Sequence, residues 1–102
     1  MHENLDFKHE TGKKKPAKIT IYALSTCGFC KRALEFLREN DIEFKYIYVD
    51  QQSPQIKVQI KQDLRDNFEE RLGFPFVVID DGKDVKAMVG FREENWKEAF
   101  LS

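Results

Sequence analysis

The residues best suited to chemistry are two cysteines three positions apart, in the run Cys27-Gly28-Phe29-Cys30. They are the only two cysteines among 102 residues. Thiols at this spacing can close and reopen a disulfide, or supply half of a metal site. Their surroundings separate these uses. Lys18 to Ala23 alternates β-branched and aromatic residues and predicts a strand. Residues 28 to about 39 predict a helix, with Ala33, Leu34, Phe36 and Leu37 on its apolar side. Lys31, Arg32, Glu35 and Arg38 lie mostly opposite. The cysteine pair therefore falls at a strand-to-helix turn.

At the start of a helix the first backbone amides have no intrahelical partner, and the dipole there is positive. A thiolate on Cys27 is stabilised by that environment, and the nearby Lys31 and Arg32 add positive potential. The thiolate is the nucleophile in disulfide exchange, so Cys27 is the candidate attacking group. Cys30 lies one turn further in, should be more buried, and is the candidate resolving group. Two other readings compete. Both cysteines could be small apolar core residues, but a pair at a helix start does not lie on an apolar stripe. They could form half of a structural zinc site, which usually takes four ligands. There is no second cysteine pair, and only His2 and His9 remain. No metal site is expected.

The remaining elements must position this pair. Glu43 to Val49 predicts a second strand, with Phe44, Tyr46 and Tyr48 on one face and Ile47 and Val49 on the other. Ser53 suits an N-cap and Pro54 the first helical position. Ile56, Ile60, Leu64, Phe68 and Leu72 then form one stripe, and Gly73 is expected to close that helix as a left-handed cap. Phe76 to Ile79 predicts a third strand, Asp81-Gly82 a tight hairpin turn, and Val85 to Val89 a fourth strand. Glu93 and Glu94 open a last short helix whose buried side is Trp96, Ala99, Phe100 and Leu101. The order β-α-β-α-β-β-α predicts an α/β fold with a four-stranded mixed sheet and three helices on its two faces. The first two strands should be parallel through a right-handed crossover, and the last two an antiparallel hairpin.

Composition bounds what surrounds this unit. Hydrophobic residues at 41% and aromatics at 13% are enough to fill a core, which excludes global disorder. Seventeen basic against eighteen acidic side chains leave a net charge of −1, arguing against nucleic-acid binding through a basic surface. Two cysteines are too few for a disulfide-dense secreted scaffold. No apolar run approaches the roughly 20 residues of a membrane span. Met1 to Glu10 lacks the apolar region of a secretory signal, so a cytoplasmic location is expected. Residues 1–17 read as a mobile N-terminal arm with a lysine cluster at Lys13, Lys14 and Lys15. Residues 18–102 read as one domain, expected to be a monomer.

Three stations resemble the glutaredoxin family, whose members have the thioredoxin fold. The first is Ile21-Tyr22-Ala23-Leu24-Ser25-Thr26 leading into the cysteine pair. The second is Phe74-Pro75-Phe76-Val77-Val78-Ile79, and the third Val89-Gly90-Phe91. The resemblance covers residues 18–101 and implies a dithiol oxidoreductase. It implies a cis Pro75 facing the cysteines, a Phe74 backbone that pairs with substrate, and a groove bordered by Phe29, Gly90, Phe91 and Arg92. Arg71 could meet a substrate carboxylate, or could be a favourable helix-end charge.

The resemblance also implies protein disulfides or glutathione mixed disulfides as substrates, and no tightly bound cofactor. Three departures leave the electron donor open. Leu24 stands where many glutathione-using members have lysine, Gly73-Phe74 replaces Thr-Val, and Arg92 replaces an acid. Gly90-Phe91-Arg92 is more similar to the glutaredoxin-like hydrogen donors of ribonucleotide reductase. The donor is therefore either glutathione or a flavoprotein of the thioredoxin-reductase type. Two further readings stand beside this one. An iron–sulfur cluster carrier would use Cys-Gly-Phe-Ser, matched here except at Cys30. A redox-regulated binding module would use Phe29, Phe74 and Phe91 as a docking surface.

Overall fold

The structure is a computed structural model that describes residues 2 and 4–101. Residues 1 and 3 of the expected arm, and residue 102 at the end of the domain, lie outside the described residues. The elements run β1 (Lys8–Glu10), β2 (Lys18–Ala23), α1 (Gly28–Glu39), β3 (Phe44–Tyr48), a 3₁₀ turn (Val49–Gln51), α2 (Pro54–Asn67), β4 (Phe76–Asp80), β5 (Val85–Val89) and α3 (Glu93–Leu101). This is the expected α/β thioredoxin-like arrangement. The sheet order is β1-β3-β2-β4-β5. β2 and β3 are parallel, while β4 runs antiparallel to both β2 and β5.

The sheet has five strands, not the four expected. The extra one is β1, which pairs antiparallel with the outer edge of β3 through Lys8↔Tyr46, His9↔Lys45 and Glu10↔Phe44. Three consecutive polar residues carry no apolar pattern of their own, so only the open edge of β3 specifies this strand. Side chains then tie it down. The Arg38 guanidinium, at the end of α1, makes a forked pair with Glu10, its Nε donating to the two carboxylate oxygens at 2.7 and 2.8 Å. His2 is buried, with Nδ1 2.7 Å from the Tyr22 hydroxyl and Nε2 2.8 Å from Asp63 Oδ2. Leu5 and Phe7 pack against the core beneath.

Alternation along the strands builds two cores, one on each face of the sheet. Ile19, Ile21, Ala23, Phe44, Tyr46, Val77 and Ile79 face α1 and α3. Tyr22, Ile47, Val49 and Phe76 face α2, which contributes Ile60 and Leu64. Helix α2 starts as expected, with the Ser53 hydroxyl accepting from the Ile56 amide at 3.3 Å. Its end is earlier than expected. The helix stops at Asn67, whose side-chain amide donates to the Asp63 carbonyl at 2.7 Å. Phe68 then turns extended (φ −133°) and its ring meets Phe76 at 5.7 Å. Leu72 still reaches the same core, but from the loop. Gly73 is therefore not a left-handed cap. Its small size matters for another reason, since a Cβ there would stand 2.9 Å from Val89 Cγ1.

Candidate functional site

The site forms where three strands end together. β2 and β3 are in parallel register up to Ala23↔Tyr48, and β4 pairs Phe76 with Tyr22. Continuing that register puts Pro75 opposite Ala23 and Phe74 opposite Leu24. The Phe76↔Val89 pair likewise brings Gly90 to the same end. The carboxyl end of β2, the loop before β4 and the turn after β5 thus converge at the start of α1, where crevices at sheet ends commonly hold ligands.

Cys27 is the N-cap of α1 (φ −94°, ψ 118°), and its sulfur accepts the otherwise unpaired amide of Cys30 at 3.2 Å. It is half-buried, whereas Cys30 is fully buried. The reason is helix geometry, because Cys30 lies on the same inward stripe as Ala33, Leu34 and Leu37. Both thiols are free. Burial, reinforced by a side-chain hydrogen bond to Cys27, pushes the Cys30 thiol up to about 12. The Leu24 amide, 3.5 Å from the Cys30 sulfur, works in the opposite direction. The neutral Cys30 S–H is thus a donor to the sulfur of Cys27.

A consequence is testable with an alkylating reagent. Only a thiolate reacts, and Cys30 stays protonated until the pH approaches about 12. Iodoacetamide at about pH 7–8 should label Cys27 in the folded reduced protein and spare Cys30, whereas both should react after unfolding. Peptide mass mapping checks this, and equal labelling of both cysteines in the folded protein would contradict it.

The other expected site residues fall into two groups. The Phe74–Pro75 peptide is cis, and Pro75 is buried. Its carbonyl accepts the Gly90 amide at 2.9 Å, and the Gly90 carbonyl in turn accepts the Trp96 indole N–H at 3.2 Å. Gly90 has φ +84°, a conformation side chains rarely tolerate. Phe29 is 57% exposed, and the Arg32 guanidinium lies 5.7 Å from its ring centre. Phe91 is more inward than a groove border requires, packing on Trp96 at 5.1 Å and Phe36 at 5.8 Å. Arg92 is exposed just before α3. Arg71 is exposed in the loop between α2 and β4, past the shortened helix, so a helix-end role does not apply to it.

One residue at the site is not among those expected from the sequence. Asp50, in the 3₁₀ turn after β3, accepts the Ser25 backbone N–H at 2.9 Å and the Ser25 hydroxyl as well. The two Ser25 donors hold the Asp50 carboxyl below its ordinary value. An acid at the end of an apolar strand was the available clue, but its partner depends on the register of β2 against β3. Beside Cys27 lies a cleft of about 320 Å³ between α1 and β3, bordered by Leu24, Ser25, Lys31, Glu35, Arg38 and Tyr48. Among the described residues, no group of three or more His, Cys, Asp or Glu is arranged to hold a metal ion. Nor is any helix of these residues long and apolar enough to cross a membrane.

Comparison with known proteins agrees with this geometry. A glutaredoxin family model matches residues 19–85. Among solved structures, a glutaredoxin from Methanosarcina mazei is 31% identical with a TM-score of 0.75, covering 92% of this chain and 86% of its own. Methanoredoxin from Methanosarcina acetivorans is 30% identical with a TM-score of 0.78, covering 91% and 94%. A Synechocystis protein named "Probable glutaredoxin" is 50% identical over 34 residues, which span 33% of this chain and 39% of that relative.

Proposed function

This chain belongs to the glutaredoxin family of thiol–disulfide oxidoreductases, and from that premise we propose that it reduces protein disulfides or glutathione mixed disulfides through Cys27 and Cys30. The observation that carries this reading is the asymmetry of the pair. One sulfur caps a helix and is half-exposed, while the other is buried and protonated behind it.

In the first step the Cys27 thiolate attacks one sulfur of the target disulfide. The target S–S bond breaks, its other sulfur leaves as a thiolate, and a mixed disulfide forms on Cys27. Cys27 then no longer carries charge or accepts from the Cys30 thiol. Two of the influences that raise Cys30 thereby vanish, while the Leu24 amide that favours its thiolate remains. Cys30 gives up its proton, attacks the Cys27 sulfur and expels the second target thiolate. The target has gained two electrons, and the protein holds a Cys27–Cys30 disulfide. Pro75, Phe74 and Gly90 border the approach to Cys27. Phe29 and Arg92 supply an exposed ring and a cation that a peptide substrate can meet, and Phe91 backs the groove from the core side.

Two thiols or a flavoprotein must return the electrons. Leu24 and Arg92 stand where a lysine and an acid commonly hold glutathione, which favours a thioredoxin-reductase-type donor. This cycle suits a reducing compartment such as the cytoplasm. The test is an NADPH-coupled assay on a protein disulfide, comparing glutathione with its reductase against thioredoxin reductase. Turnover with thioredoxin reductase and little with glutathione is the expected result. Turnover with glutathione alone would reverse the donor assignment, and none with either would reject the function.

A further inference from the structure

We infer that Asp50 is a positioning residue for both cysteines, acting through Ser25 on the loop between β2 and α1. This role rests on the dithiol mechanism above, but on geometry of its own. Sheet pairing between β2 and β3 ends at Ala23↔Tyr48, so no ladder holds the next three residues. Ser25 and Thr26 are both exposed. The anchor is Asp50, which takes both the amide and the hydroxyl of Ser25. Through that fixed point the preceding residue, Leu24, reaches the sulfur of Cys30 and the backbone of Cys27. Its N–H points at Cys30 Sγ from 3.5 Å, and its carbonyl accepts the Cys27 amide at 3.2 Å.

A carboxylate is a poor neighbour for a site that must form thiolates. Asp50 is one of the minor influences that push the Cys30 thiol upward, behind burial and Cys27. Its charge therefore opposes ionisation of the resolving cysteine, while its oxygens hold the loop that presents that cysteine. Charge-assisted hydrogen bonds are stronger than neutral ones, which makes a carboxylate a firmer clamp than an amide. The same residue thus contributes favourably by geometry and unfavourably by charge, and the two can be separated by substitution. Asp50→Ala removes both. Asp50→Asn keeps an oxygen for the Ser25 amide, and its NH₂ can donate to the Ser25 hydroxyl, so the clamp persists without the charge.

The test uses Ellman's reagent, an aromatic disulfide, on the reduced full chain. Cys27 releases one coloured thiolate on forming the mixed disulfide, and Cys30 releases the second on closing the protein disulfide. Stopped-flow absorbance resolves the two phases. Asp50→Ala is expected to slow the second phase about tenfold, as a misplaced reacting group does, with the mixed disulfide accumulating in mass spectra. Asp50→Asn is expected to restore the rate to within about twofold of the parent. Ser25→Ala, which removes only the hydroxyl contact, is expected to slow it about threefold. An unchanged second phase in Asp50→Ala overturns the inference; should that variant not fold, an unchanged phase in Ser25→Ala does so. A purely structural role would lower the melting temperature without slowing the closure of the folded protein. Parent protein that shows both phases yet reduces no protein disulfide would reject the function while leaving Asp50's role intact.

Discussion

Replacing Cys27 by serine is expected to reduce disulfide turnover to the uncatalysed background, a loss on the order of 10³-fold or more. The substitution separates chemistry from folding unusually well. Cys27 is the N-cap of α1 and its sulfur accepts the Cys30 amide at 3.2 Å. A serine hydroxyl accepts the same hydrogen bond and is among the preferred N-cap groups, so the helix keeps its start. A hydroxyl does not ionise near neutral pH, so the nucleophile alone is lost. Cys30→Ser should behave differently. The first attack survives, the second cannot occur, and mixed disulfides collect on Cys27. Turnover on a protein disulfide and intact-mass spectra of both variants check this. Full activity in Cys27→Ser would refute the assignment of roles.

Trp96→Ala is expected to cost about 3–5 kcal/mol of folding stability, the range for emptying a large aromatic from a core. Trp96 is completely buried, and its ring meets Phe91, Phe100 and Phe36 at 5.1, 5.4 and 6.0 Å. Domains of this kind are commonly stable by only about 5–15 kcal/mol, so one residue would remove a large share. The effect should also reach the site. The indole N–H donates to the Gly90 carbonyl, and the Gly90 amide donates to the Pro75 carbonyl. Trp96→Phe keeps most of the ring volume but leaves that carbonyl without its donor, and should cost roughly 1–3 kcal/mol. Because Trp96 is the only tryptophan, denaturation is best followed by far-UV circular dichroism. A Trp96→Ala midpoint equivalent to less than about 1 kcal/mol would show that the cavity closes and that the ring cluster is not a stabilising centre.

What could be read from the sequence follows how local the physics is. Helix α1 and its relation to the two thiols depend on residues within one or two turns. The apolar stripe that buries Cys30 is Ala33, Leu34 and Leu37, all on the same helix. Strand patterns of period two likewise placed Phe44 and Tyr46 on one face and Ile47 and Val49 on the other. The Ser53-Pro54 start of α2 was legible for the same reason, while its end was not. The stripe of every fourth residue continues to Leu72, but Phe68 gains more by turning onto Phe76, a strand residue eight positions away.

By itself, then, the sequence determined which groups are candidates to react, which of the two cysteines lies deeper, and the order of the helices and of every strand but β1. These rest on helix periodicity, capping and strand alternation, all properties of neighbouring residues. Tertiary structure alone decided the rest. β1 exists because β3 offers an unpaired edge, and Glu10 is held by Arg38 from a different element. Asp50 belongs to the site because β2 and β3 end in register, which brings it to Ser25, 25 residues earlier in the chain. Phe91 turns toward Trp96 because the α1–α3 face of the sheet offers a ring cluster to fill. Each is a contact between distant residues, and its energy depends on a register that no local pattern encodes.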